Sequence, residues 1–280
     1  MKVVITGVSG FLGSEMARRF AQEGHAVSGL SRRPPAGLAL AAHFQAGLGQ
    51  AAPQGAFGSA DLVIHMAHDR SAGAQELNVS GTKLWAEQAR QEGAVRQVFL
   101  TSVSAHHDAP SEYGRAKALL EGYFKGTGAV LVRPGLVVGD GGSYGDMARL
   151  IRRFPIVPVL GGDRLQVVLT DLDSLFRTLL KAPRLEAGKA YNLFQPDWVG
   201  LLSLARAIRA ESGHFSLFLP VPLAPAMGLL SLGQAIGLPK TLGPESLKNL
   251  LHCRSYGYQS SYGELGLPIL PLAELLARHG

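Results

Sequence analysis

Apolar and polar positions along the chain follow two alternating rhythms. Short apolar runs, Lys2-Val3-Val4-Ile5-Thr6, Asp61-Leu62-Val63-Ile64-His65-Met66-Ala67, Gln97-Val98-Phe99-Leu100-Thr101 and Ala129-Val130-Leu131-Val132, suit strands buried on both faces. Between them, apolar residues recur at helical spacing. Phe11 to Glu23 carries Phe11, Leu12, Met16, Ala17, Phe20 and Ala21 and stops at Gly24; Asn78 to Glu92 carries Val79, Leu84, Trp85 and Ala89 and stops at Gly93. Glu112 to Phe124 presents Tyr113, Ala116, Leu120 and Phe124, and His25 to Leu30 reads as a second strand. Strand and helix in turn predict an α/β chain with a parallel, doubly wound sheet. Residues 34–60 allow at most a weak helix and a short strand near Phe44.

After Gly139-Asp140-Gly141-Gly142 the rhythm loosens. Val167-Val168-Leu169 leads to Thr170-Asp171, a cap for a helix over Leu172 to Leu180, and Tyr191-Asn192-Leu193-Phe194 reads as another strand. From Pro196 the pattern becomes helix, strand, helix and irregular loops. The expected organisation is a Rossmann-type nucleotide-binding domain over residues 1–160, with 165–195 returning to it, and a smaller C-terminal α/β substrate lobe over 196–280. Phe215 to Pro239 has no charged residue and the length of a membrane span, but it holds Pro220, Pro222, Pro225 and Pro239. A buried strand and a packed helix are expected there, with association to a membrane surface as the alternative. The first apolar run is too short for a signal peptide.

Composition narrows the chemistry. Cys253, the single cysteine among 280 residues, excludes an internal disulfide or a multi-thiolate metal site and points to a reducing, cytoplasmic setting. The net charge of +6 comes from dispersed Arg and Lys, with pairs at Arg18-Arg19, Arg32-Arg33 and Arg152-Arg153. Without a basic run or basic-aromatic array, a nucleic-acid face is not expected, and an anionic small molecule is the better partner.

The candidate chemistry begins where the first strand ends. Gly7, Gly10 and Gly13 punctuate the passage into the first helix, with Ser9, Phe11 and Leu12 between them. A strand, a glycine-rich turn and a helix N-terminus can hold a pyrophosphate, because the backbone approaches closely and its N–H groups face the charge. The second strand runs into Ser31-Arg32-Arg33 with no acidic residue. A carboxylate there would suit the ribose diol of NAD, whereas arginines suit a 2′-phosphate, so NADP(H) is favoured and NAD remains open. Tyr113 and Lys117, four apart on one helix, can reach one ligand, and Ser102 ends a neighbouring strand. An ammonium beside a phenol favours the phenolate, which can take a proton from an alcohol while a serine holds the reacting oxygen.

These motifs resemble those of the extended short-chain dehydrogenase/reductases, the NAD(P)-dependent epimerases and dehydratases acting mostly on nucleotide sugars. Thr6-Gly7-Val8-Ser9-Gly10-Phe11-Leu12-Gly13 is similar to TGxxGFLG, Asp61 to Ala67 to DxVIHxA, and Asn78-Val79-Ser80-Gly81-Thr82 to NVxGT. Thr101-Ser102-Val103-Ser104 is similar to the strand carrying the catalytic hydroxyl. Tyr113-Gly114-Arg115-Ala116-Lys117 is similar to YxxxK, Leu131-Val132-Arg133-Pro134-Gly135 to LRPxxVxG, and Thr170-Asp171-Leu172-Asp173 to VxDxA. The resemblance covers residues 1–195 well and the remainder loosely. It implies that Ser102, Tyr113 and Lys117 are the catalytic trio, with Ser104 a second candidate for the hydroxyl. It also implies that Ala67 lines the cofactor ribose, that Pro134 onward lines the nicotinamide, and that a homodimer forms on the helices of the Asn78 and Tyr113 segments. The sequence departs from the pattern in three places. Ala46-Gly47-Leu48 offers no acidic residue for the adenine, His106-His107 replaces a Tyr-Gly, and only ten residues separate Ser102 from Tyr113.

His106-His107-Asp108 does not suggest a metal site, since adjacent histidines share one poorly; substrate contact or a solvated loop are the alternatives. Arg149, Arg152, Arg153, Arg164 and Arg254 fall in the region expected to build the substrate lobe, where one or two could hold a diphosphate. The expected function is an NADP(H)-using oxidoreductase of the epimerase/dehydratase type. A simple carbonyl reductase or a nucleotide-binding module without chemistry are the rivals.

Overall fold

The structure, a computed structural model, describes residues 1–212, 216–222 and 259–278. They divide into two compact units. The first comprises Met1–Asp108, Glu112–Arg133 and Phe176–Tyr191, and the second comprises Ala109–Ser111, Pro134–Leu175 and the residues from Asn192 onward. The chain thus leaves the first unit after Asp108, re-enters it at Glu112, leaves again after Arg133 and returns from Phe176 to Tyr191.

The first unit is built on a seven-stranded sheet. In chain order its strands are β1 (Lys2–Thr6), β2 (Ala26–Ser31), β3 (Ala42–Gln45), β4 (Leu62–His65), β5 (Arg96–Leu100), β6 (Val130–Pro134) and a last strand (Ala190–Leu193), lying side by side as last-β6-β5-β4-β1-β2-β3. β1 through β6 pair in parallel, with Val3 opposite Val27 on one side and Leu62 on the other. The order reverses between β1 and β4, the switch point at which the carboxyl ends of the strands open a crevice for a ligand. Buried apolar side chains at Val3, Ile5, Leu62 and Ile64 explain why these runs sit in the middle of a sheet covered on both faces.

Helices α1 (Phe11–Gln22), α2 (Gln75–Gln91) and α3 (Glu112–Gly126) cover this sheet. Trp85 and Ala89 of α2 pack with Val4, Leu30 and Val63, and Ala86 packs with Phe99, Leu120, Phe124 and Leu131 beside α3. α1 buries Met16, Ala17 and Phe20, and the Phe20 ring meets Phe176 edge-on at 5.1 Å. Leu84, expected on the buried stripe of its helix, is instead 38% exposed. Trp85 and Ala89 turn the inward face away from it. The strand near Phe44 forms, with Phe44 in register with Leu30.

In the second unit, β7 (Leu136–Val137), β9 (Gln166–Thr170) and β11 (Trp198–Gly200) form a three-stranded sheet; β8 (Ile156–Leu160) and β12 (Leu217–Val221) pair in parallel; the strand Ala190–Leu193 is thus β10. α4 (Gly142–Arg153) and α6 (Leu201–Ser212) close a core around Tyr144, Ile151, Leu165, Leu204 and Ile208. α4 occupies the stretch where the sequence rhythm loosens, and it carries Arg149, Arg152 and Arg153. α5 (Leu172–Lys181) begins as expected, with the Asp171 carboxylate accepting the Ser174 N–H at 2.9 Å. Two short helices, α7 (Tyr262–Leu265) and α8 (Leu272–Ala277), follow. Of the apolar segment from Phe215 to Pro239, residues 216–222 are described and contain β12; the helix expected after it, Cys253 and Arg254 lie outside the described residues.

Candidate active site

The passage from β1 into α1 is shaped by glycine where no other residue fits. Gly7 has φ +74°, and a Cβ there would lie 2.7 Å from the Ala67 Cα. A Cβ on Gly13 would lie 2.3 Å from the Gly7 carbonyl oxygen, whereas one on Gly10 would meet that oxygen at 3.3 Å. The Gly7 N–H donates to the Leu30 carbonyl at 2.7 Å, and the Thr6 hydroxyl oxygen accepts the N–H groups of Met66 at 3.1 Å and Ala67 at 3.2 Å. The ends of β1, β2 and β4 are thereby fixed around one turn. Gly10 precedes a helix with no side-chain cap and no acidic residue in its first turn, so the leading N–H groups remain available to an anion. Ser9 is exposed, and Phe11 and Leu12 are half-buried. This is a backbone cradle that a Cβ at Gly7 or Gly13 would fill, and it fits a dinucleotide pyrophosphate.

At the end of β2, Arg32 and Arg33 are both exposed. The Arg32 stem runs beside Gly47, and its guanidinium reaches Asp69 at 3.3 Å. The Asp69 carboxyl is held below the usual carboxylate range, chiefly by hydrogen bonds from Ser71. The Ser31 hydroxyl donates to the Arg33 carbonyl at 2.7 Å and lies 3.0 Å from His43 Nε2.

Beyond β5, the Ser102 and Ser104 hydroxyls lie 2.8 Å apart, and the Ser104 N–H donates to Ser102 Oγ at 3.2 Å. Tyr113 and Lys117 stand one turn apart at the start of α3. Lys117 is 4% exposed; its Nζ donates to the Leu100 carbonyl at 2.7 Å and lies 4.6 Å from the Phe99 ring centre and 5.7 Å from that of Tyr113. Burial lowers its pKa to about 7, against the opposing influence of the Glu121 carboxylate. The Lys117 bond to Leu100 therefore ties α3 to the end of β5, two residues before Ser102. Pro134, the last residue of β6, is where the chain enters the second unit.

The structure adds residues that the sequence reading did not single out. His68, directly after Ala67, sets its ring edge-to-face against Tyr113 with centres 4.8 Å apart. Burial, with Lys117 and Arg70 nearby, lowers its pKa to about 3, so its imidazole is neutral. Glu121, one turn beyond Lys117, accepts the Thr101 hydroxyl at 2.7 Å and binds Arg133 through both carboxylate oxygens. One signal was legible: Tyr113, Lys117 and Glu121 recur every four residues, placing all three on one helix face.

His106 is buried while His107 and Asp108 are exposed, and among the described residues no cluster of histidine, cysteine and carboxylates could hold a metal. Arg149 is paired with Asp146 and the Asp140 carbonyl. No described helix is long and apolar enough to cross a membrane.

Comparison with known proteins agrees with this fold. A ceramide reductase of Caulobacter vibrioides is 30% identical over 175 residues, which are 56% of this chain and 53% of that protein; the chain thus spans about half the length of this curated relative. Among solved structures, a nucleoside-diphosphate-sugar epimerase of Pseudomonas aeruginosa superposes with a TM-score of 0.71 at 19% identity, covering 100% of this chain and 96% of its own. The UDP-glucose 4-epimerase of Thermotoga maritima, solved with UDP-glucose, gives 0.65 at 16% identity, covering 79% and 86%. At such identities the likeness is one of fold. The sequence pattern of the NAD dependent epimerase/dehydratase family matches residues 3–157, more than half of the chain. With its glycine cradle at the switch point of a Rossmann-type sheet, the chain belongs to the NAD-dependent epimerase/dehydratase family of enzymes.

Proposed function

We propose that this enzyme is an NADP(H)-using oxidoreductase acting on a nucleotide sugar or a related alcohol or carbonyl, with Ser102, Tyr113 and Lys117 as its catalytic trio. The observation that carries the reading is the 2.7 Å bond from Lys117 to Leu100, which ties the Tyr113 helix to the strand end leading into Ser102. A bound nicotinamide would supply or accept hydride. Tyr113 takes the proton from the reacting hydroxyl, or returns it in the reverse direction, and the Lys117 ammonium stabilises the phenolate. Ser102 donates to the reacting oxygen, and Ser104 orients the Ser102 hydroxyl. Gly7, Ser9, Gly10, Phe11, Leu12 and Gly13 would hold the pyrophosphate of a bound cofactor, and Arg32 and Arg33 a 2′-phosphate. By the family resemblance, Ala67, Tyr113 and Lys117 would line the ribose and Pro134 the nicotinamide. Residues 196–280 would supply the substrate lobe. Leu84 on α2 and Leu119 on α3, 38% and 45% exposed, support a homodimer built on these helices. The reducing environment suited to a chain with one cysteine supports a cytoplasmic setting.

The sugar nucleotides named for the solved relatives favour an epimerase or dehydratase, which regenerates its cofactor in each cycle. The ceramide reductase relative favours a second reading, a reductase that consumes NADPH stoichiometrically. Titration with NADPH and NADH by fluorescence, then turnover assays with UDP-glucose and with aromatic ketones, separates the two. Tyr113→Phe is expected to bind NADPH as the parent does and to lose turnover. Full activity in that variant overturns the assignment, and tight NADPH binding without turnover of any compound favours a binding module.

A further inference from the structure

We infer that His68 is a positioning residue of this site, a fixed aromatic wall that holds the Tyr113 ring in the orientation needed for proton transfer. The inference rests on the role proposed for Tyr113. It starts from the backbone on either side of His68. Upstream, the Thr6 hydroxyl oxygen accepts both the Met66 and Ala67 N–H groups, and the Ala67 backbone packs against Gly7. Downstream, the Asn78 side chain takes both polar groups of Asp69: its Oδ1 accepts the Asp69 N–H at 2.7 Å and its Nδ2 donates to the Asp69 carbonyl at 2.9 Å. Asn78 is itself buried in α2, with Nδ2 also donating to Ala74. His68 is thus the middle residue of a bracket clamped at both ends, one end on the nucleotide turn and the other on a helix.

Tyr113 is the second residue of α3, and its phenol must meet a reacting oxygen within a few tenths of an ångström. Lys117 fixes the next turn but lies 5.7 Å from the ring centre. The imidazole, perpendicular to the phenol at 88° and 4.8 Å between centres, restrains the ring from the side of the nucleotide turn. Its neutrality suits that role, because a cation there would add to Lys117 and Arg70 and draw in water.

The test uses full-length protein labelled with ¹³C in the tyrosine rings, saturated with NADPH, the Tyr113→Phe spectrum identifying the Tyr113 signals. In the parent these signals are expected to be displaced from those of an exposed tyrosine by the neighbouring ring. His68→Ala should return them towards the exposed position, and His68→Phe, which keeps an aromatic wall, should retain the displacement. With a compound whose turnover Tyr113→Phe abolishes, His68→Ala should lower kcat about 10- to 100-fold, the scale of a misplaced reacting group. NADPH affinity should stay within about twofold and His68→Phe should recover most of kcat. Unchanged Tyr113 signals in His68→Ala overturn the inference, as does a His68→Phe variant whose signals match those of His68→Ala. Should Tyr113→Phe turn over UDP-glucose or an aromatic ketone as well as the parent does, the proposed function fails, while the ring signals still decide the contact. Should Tyr113→Phe be inactive and His68→Ala keep full kcat, the role of His68 alone is lost.

Discussion

Glu121 and Arg133 join α3 to β6 through a bidentate ion pair, with Arg133 Nε donating to Glu121 Oε1 at 2.7 Å, and the same oxygen accepts the Thr101 hydroxyl at the end of β5. Both side chains are largely removed from water, Glu121 at 13% and Arg133 at 19% exposure. Losing one partner strands the other charge, so Arg133→Met or Glu121→Gln should cost about 2–3 kcal/mol, below the cost at a fully buried pair because some solvent remains. Urea unfolding measures it. The double variant Glu121→Leu/Arg133→Met should recover part of the loss, and strictly additive losses would show that the pair is not coupled.

Lys117 predicts a pH signature in stability. Its folded pKa is lowered by burial to about 7, from an ordinary value of 10.5. Between those values the unfolded chain binds a proton that the folded chain does not, so stability rises with pH across that window. The cost of burying the ammonium is fully present below pH 7 and is relieved as the amine loses its proton. Lys117→Met lacks this dependence, so the parent should gain stability relative to the variant between pH 7 and 10. Denaturant titrations at several pH values check it, and a constant difference would mean that the amine is solvated.

The part of the fold legible in the sequence was the part set by local pattern. β1, its glycine turn and α1 are contiguous, so strand period, Gly7 and helix stripe all report on one structure. Leu84 fails because a helix's rotation is decided by what it packs on, and Trp85 with Ala89 outweighs it. α4 escaped because its buried face, Tyr144, Gly145, Ala148 and Ile151, is thin in large apolar residues. In the site, Tyr113 and Lys117 were visible through their spacing on one helix. His68 was not, since its significance lies in a ring contact with a distant segment. The Glu121–Arg133 pair joins a helix to a strand and has no sequence period of its own.

The three glycines of the nucleotide turn should not be equivalent. Gly13→Ala places its Cβ 2.3 Å from the Gly7 oxygen, and Gly7→Ala adds a positive φ to a 2.7 Å approach to Ala67. These are collisions with backbone, which cannot swing aside, and each should cost about 3 kcal/mol or more of stability or NADPH binding. Gly10 has φ −81° and only a 3.3 Å contact, so Gly10→Ala should stay within about 1 kcal/mol. Melting temperatures with and without NADPH give the order, and a Gly10→Ala protein as damaged as Gly13→Ala would count against this geometry.

Cofactor preference turns on whether Arg32 can leave Asp69. The pair is 3.3 Å long and the Arg32 side chain is 76% exposed, so the contact is worth less than about 1 kcal/mol and is screened by salt. A 2′-phosphate carries more charge and can take two aligned guanidinium bonds, so it should displace the carboxylate at little cost. Arg32→Ala should therefore weaken NADPH by about tenfold, near 1.4 kcal/mol, and leave NADH within about twofold. Asp69→Asn removes the competitor and should leave NADPH binding equal or tighter. Fluorescence titrations with both cofactors at low and high salt decide it, with the NADPH loss shrinking as salt rises. Equal losses for NADH and NADPH in Arg32→Ala would mean that the guanidinium serves the adenosine as a whole rather than its phosphate.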